Sequence, residues 1–487
     1  MMPKIFVRTG AAATLLAAAV LGLISTTARA DNQTPTVSPI LTDTSSLPYT
    51  VQLRERNMPL TLPTLQSFAA GQYGGLWVLI GGRTNGMHGF SNNPLANFPP
   101  SKQNKRIWVI DPVSGQRWSR QLNDSSLTED QVDTLSSFAA QALQVGNTLY
   151  VVGGYGYSRS LGDFTTYSTM TAFDLDKIVN WVRKLGDAPG GKADLATLIR
   201  QTSNDVLKVT GGQMTMLGKR AILAFGQLFD GGYPSPNLVQ IYTTQVRSFR
   251  ILDDGQTLAI DNIRQIPKAP NPTDYRRRDY TLIPIISSTA GQMVPMATAL
   301  AGVFTLTDGI FTVPVEIAGN GRPTMADPSL ASTFKQAMSG YDTAHLPIYD
   351  SKRGDSHAVL FGGISFVYYR GSTGTFVEDP MFPFISDISA VVRKANGRYR
   401  QFLIGRYPKV ETADGKRLRF GAEAAVFLNP SIPATSNGMI DLTRLKAQYG
   451  TRRVLVGWLF GGIAADAPHG GARVASNVVF DVFLTPR

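Results

Sequence analysis

A short apolar strand that stops at a glycine pair recurs along the chain, at residues 76–82 (LWVLIGG), 149–154 (LYVVGG), 358–363 (AVLFGG) and 456–462 (VGWLFGG). Residues 221–227 (AILAFGQ) read as the same strand with its second Gly replaced. An identical tetrapeptide precedes the first two copies, Ser67-Phe68-Ala69-Ala70 and Ser137-Phe138-Ala139-Ala140. Another strand follows them, at 106–111 and 169–174. Asp111 and Trp118 then stand seven apart, as do Asp174 and Trp181, and Tyr242 and Phe249 keep that spacing with weaker chemistry. Such internal repetition means one small unit made several times. The unit predicted is a four-stranded sheet. Its Gly pair ends a buried strand where a side chain would collide with the neighbouring sheet. A polar turn reverses the chain, and the Trp opens an outer strand that packs between adjacent sheets. A sheet of this kind cannot bury both faces alone, so the copies must stack radially.

Composition agrees with that unit. The chain has 487 residues, 47 of them Gly, and only 17% charged residues, which suits a turn-rich all-β protein. It has no Cys, which removes disulfide scaffolds, zinc fingers, thiol catalysis and Cys-ligated iron–sulfur clusters. The pattern of apolar strand, Gly-Gly, strand and aromatic resembles the kelch family of β-propellers; an unrelated β-sandwich is the competing architecture. The resemblance implies a single propeller over 49–487. Its six blades read 66–71, 76–82, 106–111, 117–122; then 137–144, 148–154, 170–175, 178–184; then 213–217, 220–227, 238–243, with 246–252 or 257–263 as the last strand. They continue with 280–287, 296–305, 310–317 and no clear fourth strand; 345–349, 357–364, 388–394, 399–404; and 422–428, 453–463, 477–484. The last blade lacks a strand, and residues 49–54 (YTVQLR) have no place in the first. Putting 49–54 beside 477–484 closes the ring and removes two open edges.

The start of the chain reads as an address. Lys4 and Arg8 precede an uncharged run over 11–24, and Ala28-Arg29-Ala30 is a cleavage signal. Residues 1–30 therefore read as a secretory signal peptide, and 31–48, rich in Thr, Ser and Pro, as a disordered lead-in. The expected mature protein is periplasmic or secreted, monomeric and without a membrane span. The leader carries three positive charges, leaving +9 of the chain's +12, which favours an anionic surface or glycan. No nucleic-acid-binding motif is present, so nucleic acid is not expected as a partner.

Strand direction alternates within a blade, so the links after each second strand and those between blades share one face. These are the long ones, among them 83–105, 155–169, 185–210, 267–278, 319–344, 365–387, 406–420 and 464–476, and recognition is expected there. On the other face, 441–449 reads as a short helix. Arg277 and Arg278, in the run 274–280 (DYRRRDY), suit a carboxylate or phosphate, or form a solvated charge run. His88 and His469 are expected to approach each other across the closure. They would bind or move protons, or be ordinary loop residues; no metal motif surrounds them. His345 leads into the fifth blade. Glu423, close to Arg419, is a candidate general base or half of an ion pair. His357 is expected on the far face, with no part in the site. Among the loop aromatics and arginines are Arg83, Tyr155, Arg159 and Tyr233, which could stack on and hydrogen-bond a sugar, or pack the loops.

No motif for hydrolysis, nucleotide or dinucleotide binding occurs, and no cofactor is expected. Among kelch-like relatives, copper radical oxidases need a Cys joined to a Tyr, and this chain has none. Two readings remain: a protein binding a carbohydrate-like or anionic ligand, or an envelope partner, and a sugar isomerase resembling sialic-acid mutarotases. In either, Arg83, His88, Tyr155, Arg159, Tyr233, Arg277, Arg278 and His469 would hold the ligand; in the second, Glu423 and His345 would also move protons.

Overall fold

A computed structural model describes residues 37–487 except 234, 236, 237, 290, 291 and 308; the expected leader lies outside the described residues. Six four-stranded antiparallel arrays follow one another along the chain. The first joins Ala69–Tyr73, Leu76–Ile80, Arg106–Ile110 and Arg117–Gln121, and the second Gln141–Val145, Thr148–Val152, Thr169–Asp174 and Ile199–Ser203. The third joins Gln213–Leu217, Arg220–Ala224, Val246–Asp253 and Leu258–Ile266, and the fourth Thr281–Thr289, Gln292–Leu300, Val315–Ile317 and Pro323–Met325. The fifth joins His345–Asp350, Asp355–Ile364, Phe384–Arg393 and Tyr399–Arg406. The sixth takes Ala424–Leu428, Val454–Gly461 and Val479–Pro486, and its fourth strand is Tyr49–Arg56, paired from Tyr49↔Pro486 to Arg56↔Val479. This all-β arrangement fits a β-propeller.

The glycine pairs are explained by two close approaches. Gly81 and Gly82 both have positive φ (63° and 83°), as do Gly153 and Gly154 (66° and 91°). A Cβ on Gly81 would lie 2.4 Å from Ser137 O, at the start of the next sheet, and one on Gly82 would lie 2.6 Å from Gln66 O of its own. The second residue of each pair also donates its N–H to a carbonyl just ahead of the next sheet. These bonds run Gly82 to Ser137, Gly154 to Val209, Gly226 to Arg277, Gly302 to Gly340 and Gly363 to Phe420, and Gly462 donates to Leu65, ahead of the first sheet. In the third and fourth sheets the first glycine is replaced by Phe225 and Ala301, which keep φ at 49° and 54°. The replaced position is therefore the first of the pair, not the second.

Apolar side chains fill the spaces between sheets. Val78 and Val109 pack with Leu149 and Phe173, Val152 and Ala172 with Leu223, and Ile222 and Ala224 with Ala297 and Ala299. Ile283 and Leu300 meet Ala358 and Leu360, and Leu346 and Val359 meet Val456 and Phe480. Phe427 and Trp458 of the sixth sheet pack on Trp77 and Leu79 of the first. Burying these faces against one another supplies the main stabilisation.

Several expected elements are corrected. The stretch expected as strand 178–184 is a helix, Leu175–Arg183, and the fourth strand of that sheet is Ile199–Ser203. Leu175, Ile178, Val179 and Val182 are buried on one face at helical spacing, so the period of 3.6 decides. Trp181 is fully buried, on that helix and not on an outer strand. In the third sheet the outer strand is the later alternative, Leu258–Ile266; Val239–Tyr242 instead joins Tyr155–Ser158, Asp163–Thr166 and Gln227–Asp230 in a separate sheet built from two long loops. The identical tetrapeptides are out of register by two, because Ala69 pairs with Ile80 as Gln141 pairs with Val152. The second half of the expected disordered lead-in is packed. Ile40–Leu41 pairs in parallel with Gln401 and Phe402, and Leu47 is buried against Val392 and Phe402. The short helix on the far side is Leu442–Tyr449. No helix among the described residues is long and apolar enough to cross a membrane.

Candidate functional site

One residue stands just ahead of the inner strand of each sheet: Ser67, Ala139, Gly211, Asp279, Asp342 and Glu423. Their backbones are bonded in series. Asp279 N–H donates to Gly211 O (2.8 Å), Gly211 to Ala139 (3.3 Å), Ala139 to Ser67 (3.0 Å), Ser67 to Glu423 (3.3 Å) and Glu423 to Asp342 (3.3 Å). All but Asp342 have positive φ, between 49° and 63°. Four of them are not glycine, so packing and these bonds must hold a conformation that L residues disfavour. Around this rim the side chains run from small on the first three sheets to carboxylic on the last three.

The three carboxyl groups are deep in the protein yet still touch solvent. Tyr341 Oη donates to Asp279 Oδ2 (3.0 Å), Gln213 Nε2 to Asp342 Oδ2 (3.2 Å) and Ser67 Oγ to Glu423 Oε2 (2.9 Å). Arg278 Nε lies 3.5 Å from Asp279 Oδ2. Burial raises the pKa of all three. Asp342 is pushed up to about 7, with the Asp279 charge adding to burial. Glu423 is held well above the usual range by burial and then by Asp342 and Asp279. Burial and mutual repulsion both favour the neutral form of these acids, so they hold protons more tightly than exposed carboxyl groups do.

Arg278 stands beside them, its guanidinium 4.6 Å from the Phe304 ring and 5.5 Å from that of Phe229. Its Nε is buried without a hydrogen bond. His88 lies on the same side. Phe90, Phe98 and Tyr233 surround its ring, and Nδ1 meets Gly89 O at 2.7 Å. Burial, with Arg83, Arg278 and Arg473 nearby, brings the pKa of His88 down to about 4, so the imidazole is neutral.

The structure brings Glu423, Arg278, His88 and Tyr233 to one region, and Arg83 and Tyr155 pack against Phe98, one of the rings around His88. Arg277 is fully buried and donates to the carbonyls of Asp274, Ala301 and Val313. Tyr155 is buried among Phe98, Phe138, Phe164 and Phe229, with its hydroxyl on Gly231 O. Arg159 is held by Asp133 and Glu129 beside the helix Glu129–Leu135. Arg83 is 2% exposed and stacks over Phe98 and Phe138. His345 bonds to Thr343 O, and no charged group of the rim shifts its pKa, which burial lowers. His469 pairs with Asp379 at 2.9 Å. Arg419 is bonded to Arg417 O, not to Glu423.

Asp279, Asp342, Tyr341, Ser67 and Gln213 carry the rim and were not among the candidates. A signal for them exists in the sequence: each Gly pair fixes the register of its strand, and the strand before it then fixes which residue stands at the rim. The shared tetrapeptide hides this, because it aligns Ser67 with Ser137 where the fold aligns Ser67 with Ala139. Among the described residues no group of three His, Cys, Asp or Glu side chains is arranged to hold a metal ion.

No family model matches the sequence, and no curated protein matches it. Among solved structures the chain is similar to one titled "Structure of YjhT", with a TM-score of 0.44 and 10% identity, covering 87% of this chain and 96% of that one. A likeness at that level has no bearing on what either protein binds.

Proposed function

We propose that the protein is an exported, six-bladed propeller of kelch type that binds a hydroxyl-rich, carbohydrate-like ligand at the rim formed by Ser67, Asp279, Asp342 and Glu423. The ring reading is supported by the six Gly N–H bonds, the last of which returns from Gly462 to Leu65, and by the pairing of Tyr49–Arg56 with Val479–Pro486. The binding reading rests on one observation, the cluster of three half-buried carboxyl groups, Asp279, Asp342 and Glu423, beside Arg278 and Tyr341, whose burial raises their pKa values. A protonated carboxyl both donates and accepts, as a sugar hydroxyl does, and Arg278 adds donors on the same side. Binding of a panel of neutral mono- and disaccharides by the mature chain tests this. Asp342→Asn should weaken a bound sugar by roughly tenfold, the worth of one hydrogen bond to a buried polar group. Saccharides that bind equally well to Asp342→Asn and Glu423→Gln would place the ligand elsewhere.

A second reading is favoured by the position of Asp342 near 7. A group that gives and takes a proton at neutral pH beside other carboxyl groups suits acid–base catalysis, such as the opening and closing of a sugar ring. Optical rotation of a freshly dissolved sugar separates the two readings. Catalysis requires faster equilibration that Asp342→Asn abolishes, whereas pure binding leaves the rate at that of buffer.

A further inference from the structure

A cleft of about 350 Å³, apart from the rim, is walled by Tyr368, Tyr369, Phe384, Ile385 and Pro468. That volume lies within the range of small-molecule sites. Two carboxylates and three guanidinium groups line it, and the carboxylates are occupied. Asp387 accepts from Arg406 Nε (2.6 Å) and from Tyr369 N–H (3.1 Å). Asp379 faces His469 (2.9 Å) and accepts from Met381 N–H (3.0 Å).

Arg417 and Arg419 are different. Arg417 donates one hydrogen bond, from Nη2 to Tyr407 O (3.1 Å), and its Nε is buried without a partner. Arg419 donates one, from Nη1 to Arg417 O (3.1 Å). Neither has a carboxylate within ion-pair distance among the described residues. The nearest acid acting on Arg419 is Asp466, which is already taken by Lys416 (3.4 Å) and the Ala472 N–H (2.8 Å). Two neighbouring like charges, each half-buried and making one hydrogen bond within the protein, repel one another, and an anion seated between them would relieve that repulsion. Their backbones cannot easily give way. Arg419 and Ala465 exchange hydrogen bonds at 2.9 Å each way, and Arg417 bridges to Glu411. The pair is therefore set in the cleft by the fold.

We propose that this cleft is a binding site for a small organic oxyanion of about monosaccharide size, its charged group seated on Arg417 and Arg419 and its body against the Tyr368, Tyr369 and Phe384 wall. The shared chemistry is an oxygen anion that accepts from two guanidinium forks; it could come from a sugar carboxylate or from a sugar phosphate. The site is separate from the rim, so it does not depend on the reading given above.

Calorimetric titration of the mature chain with glucuronate, glucose 6-phosphate, glucose and inorganic sulfate tests it. The expected result is binding of glucuronate or glucose 6-phosphate, whichever source fits, with no heat from glucose. Arg419→Gln keeps the bond to Arg417 O within reach and should weaken that binding at least about tenfold. Ser386→Trp, which fills the cleft and leaves both arginines in place, should abolish it and guards against a variant that misfolds. Failure of both charged sugars to bind would overturn the proposal, as would binding unchanged in Ser386→Trp. Sulfate binding as tightly as the sugar anions would also overturn it, because the walls would then contribute nothing.

Discussion

Arg277 and Arg278 are adjacent in sequence and face opposite sides of the chain. Arg277 satisfies three carbonyls in the interior, and burial lowers its pKa to about 9, so it remains charged at neutral pH. Removing it leaves those carbonyls without a donor. Arg277→Ala should therefore cost on the order of 3 kcal/mol or more of stability, read as a lower urea midpoint. Arg278→Ala should lower the midpoint less, because Tyr341 still bonds Asp279, and should weaken ligand binding at the rim; unchanged binding would exchange their roles. The rim acids give a pH signature of the opposite kind to ordinary salt-bridged carboxylates. Their folded pKa values are raised, so the folded state holds protons that the unfolded state releases. The resulting stability is complete below the unfolded carboxyl range, near pH 4, and is lost as pH rises through about 7 for Asp342. Melting temperature should fall from pH 5 to pH 8, and Asp342→Asn or Glu423→Gln should flatten that fall. A melting temperature independent of the two substitutions at pH 8 would show that the acids are not coupled.

At the scale of strands and helices, local signals were legible wherever they were local in origin. The Gly pairs mark strand ends because the backbone there is left-handed and the neighbouring carbonyl is too close for a Cβ. The orphan strand at Tyr49 was legible from the unfilled edge of the last sheet, an accounting of hydrogen bonds and not of propensity. The repeat spacing of Asp174 and Trp181 points to an outer strand, whereas the helical spacing of the apolar residues between them decides the local structure. The role of residues 37–48 was hidden by composition. A Pro- and Thr-rich stretch can still lie along an edge when the edge offers partners, as Gln401, Phe402 and Lys335 do. Truncation separates these contributions. Removal through residue 36 should leave the urea midpoint unchanged, removal through 46 should lower it modestly, and removal through 56 should cost several kcal/mol by exposing the Val479–Pro486 edge. Equal midpoints for the last two would mean that the Tyr49–Arg56 pairing contributes nothing.

For the whole molecule, the fold was more legible than the site. The repeat is written along the sequence, whereas the rim is assembled from one residue in each sheet, and Asp279, Asp342 and Glu423 gain their chemistry only from proximity. Loop residues with suggestive side chains serve the loops themselves: Tyr155 turns inward among aromatic rings, and Arg159, on the surface, pairs with Asp133, because long loops need cores and ion pairs of their own. The pairing of Tyr49–Arg56 with Val479–Pro486 has a further consequence in time. A ribosome makes Tyr49–Arg56 long before its partner Val479–Pro486. Until the later strand emerges, the sheet that the two share is unfinished and offers a protease an exposed edge. The seam between them thereby makes protection of that edge wait on synthesis of a distant segment.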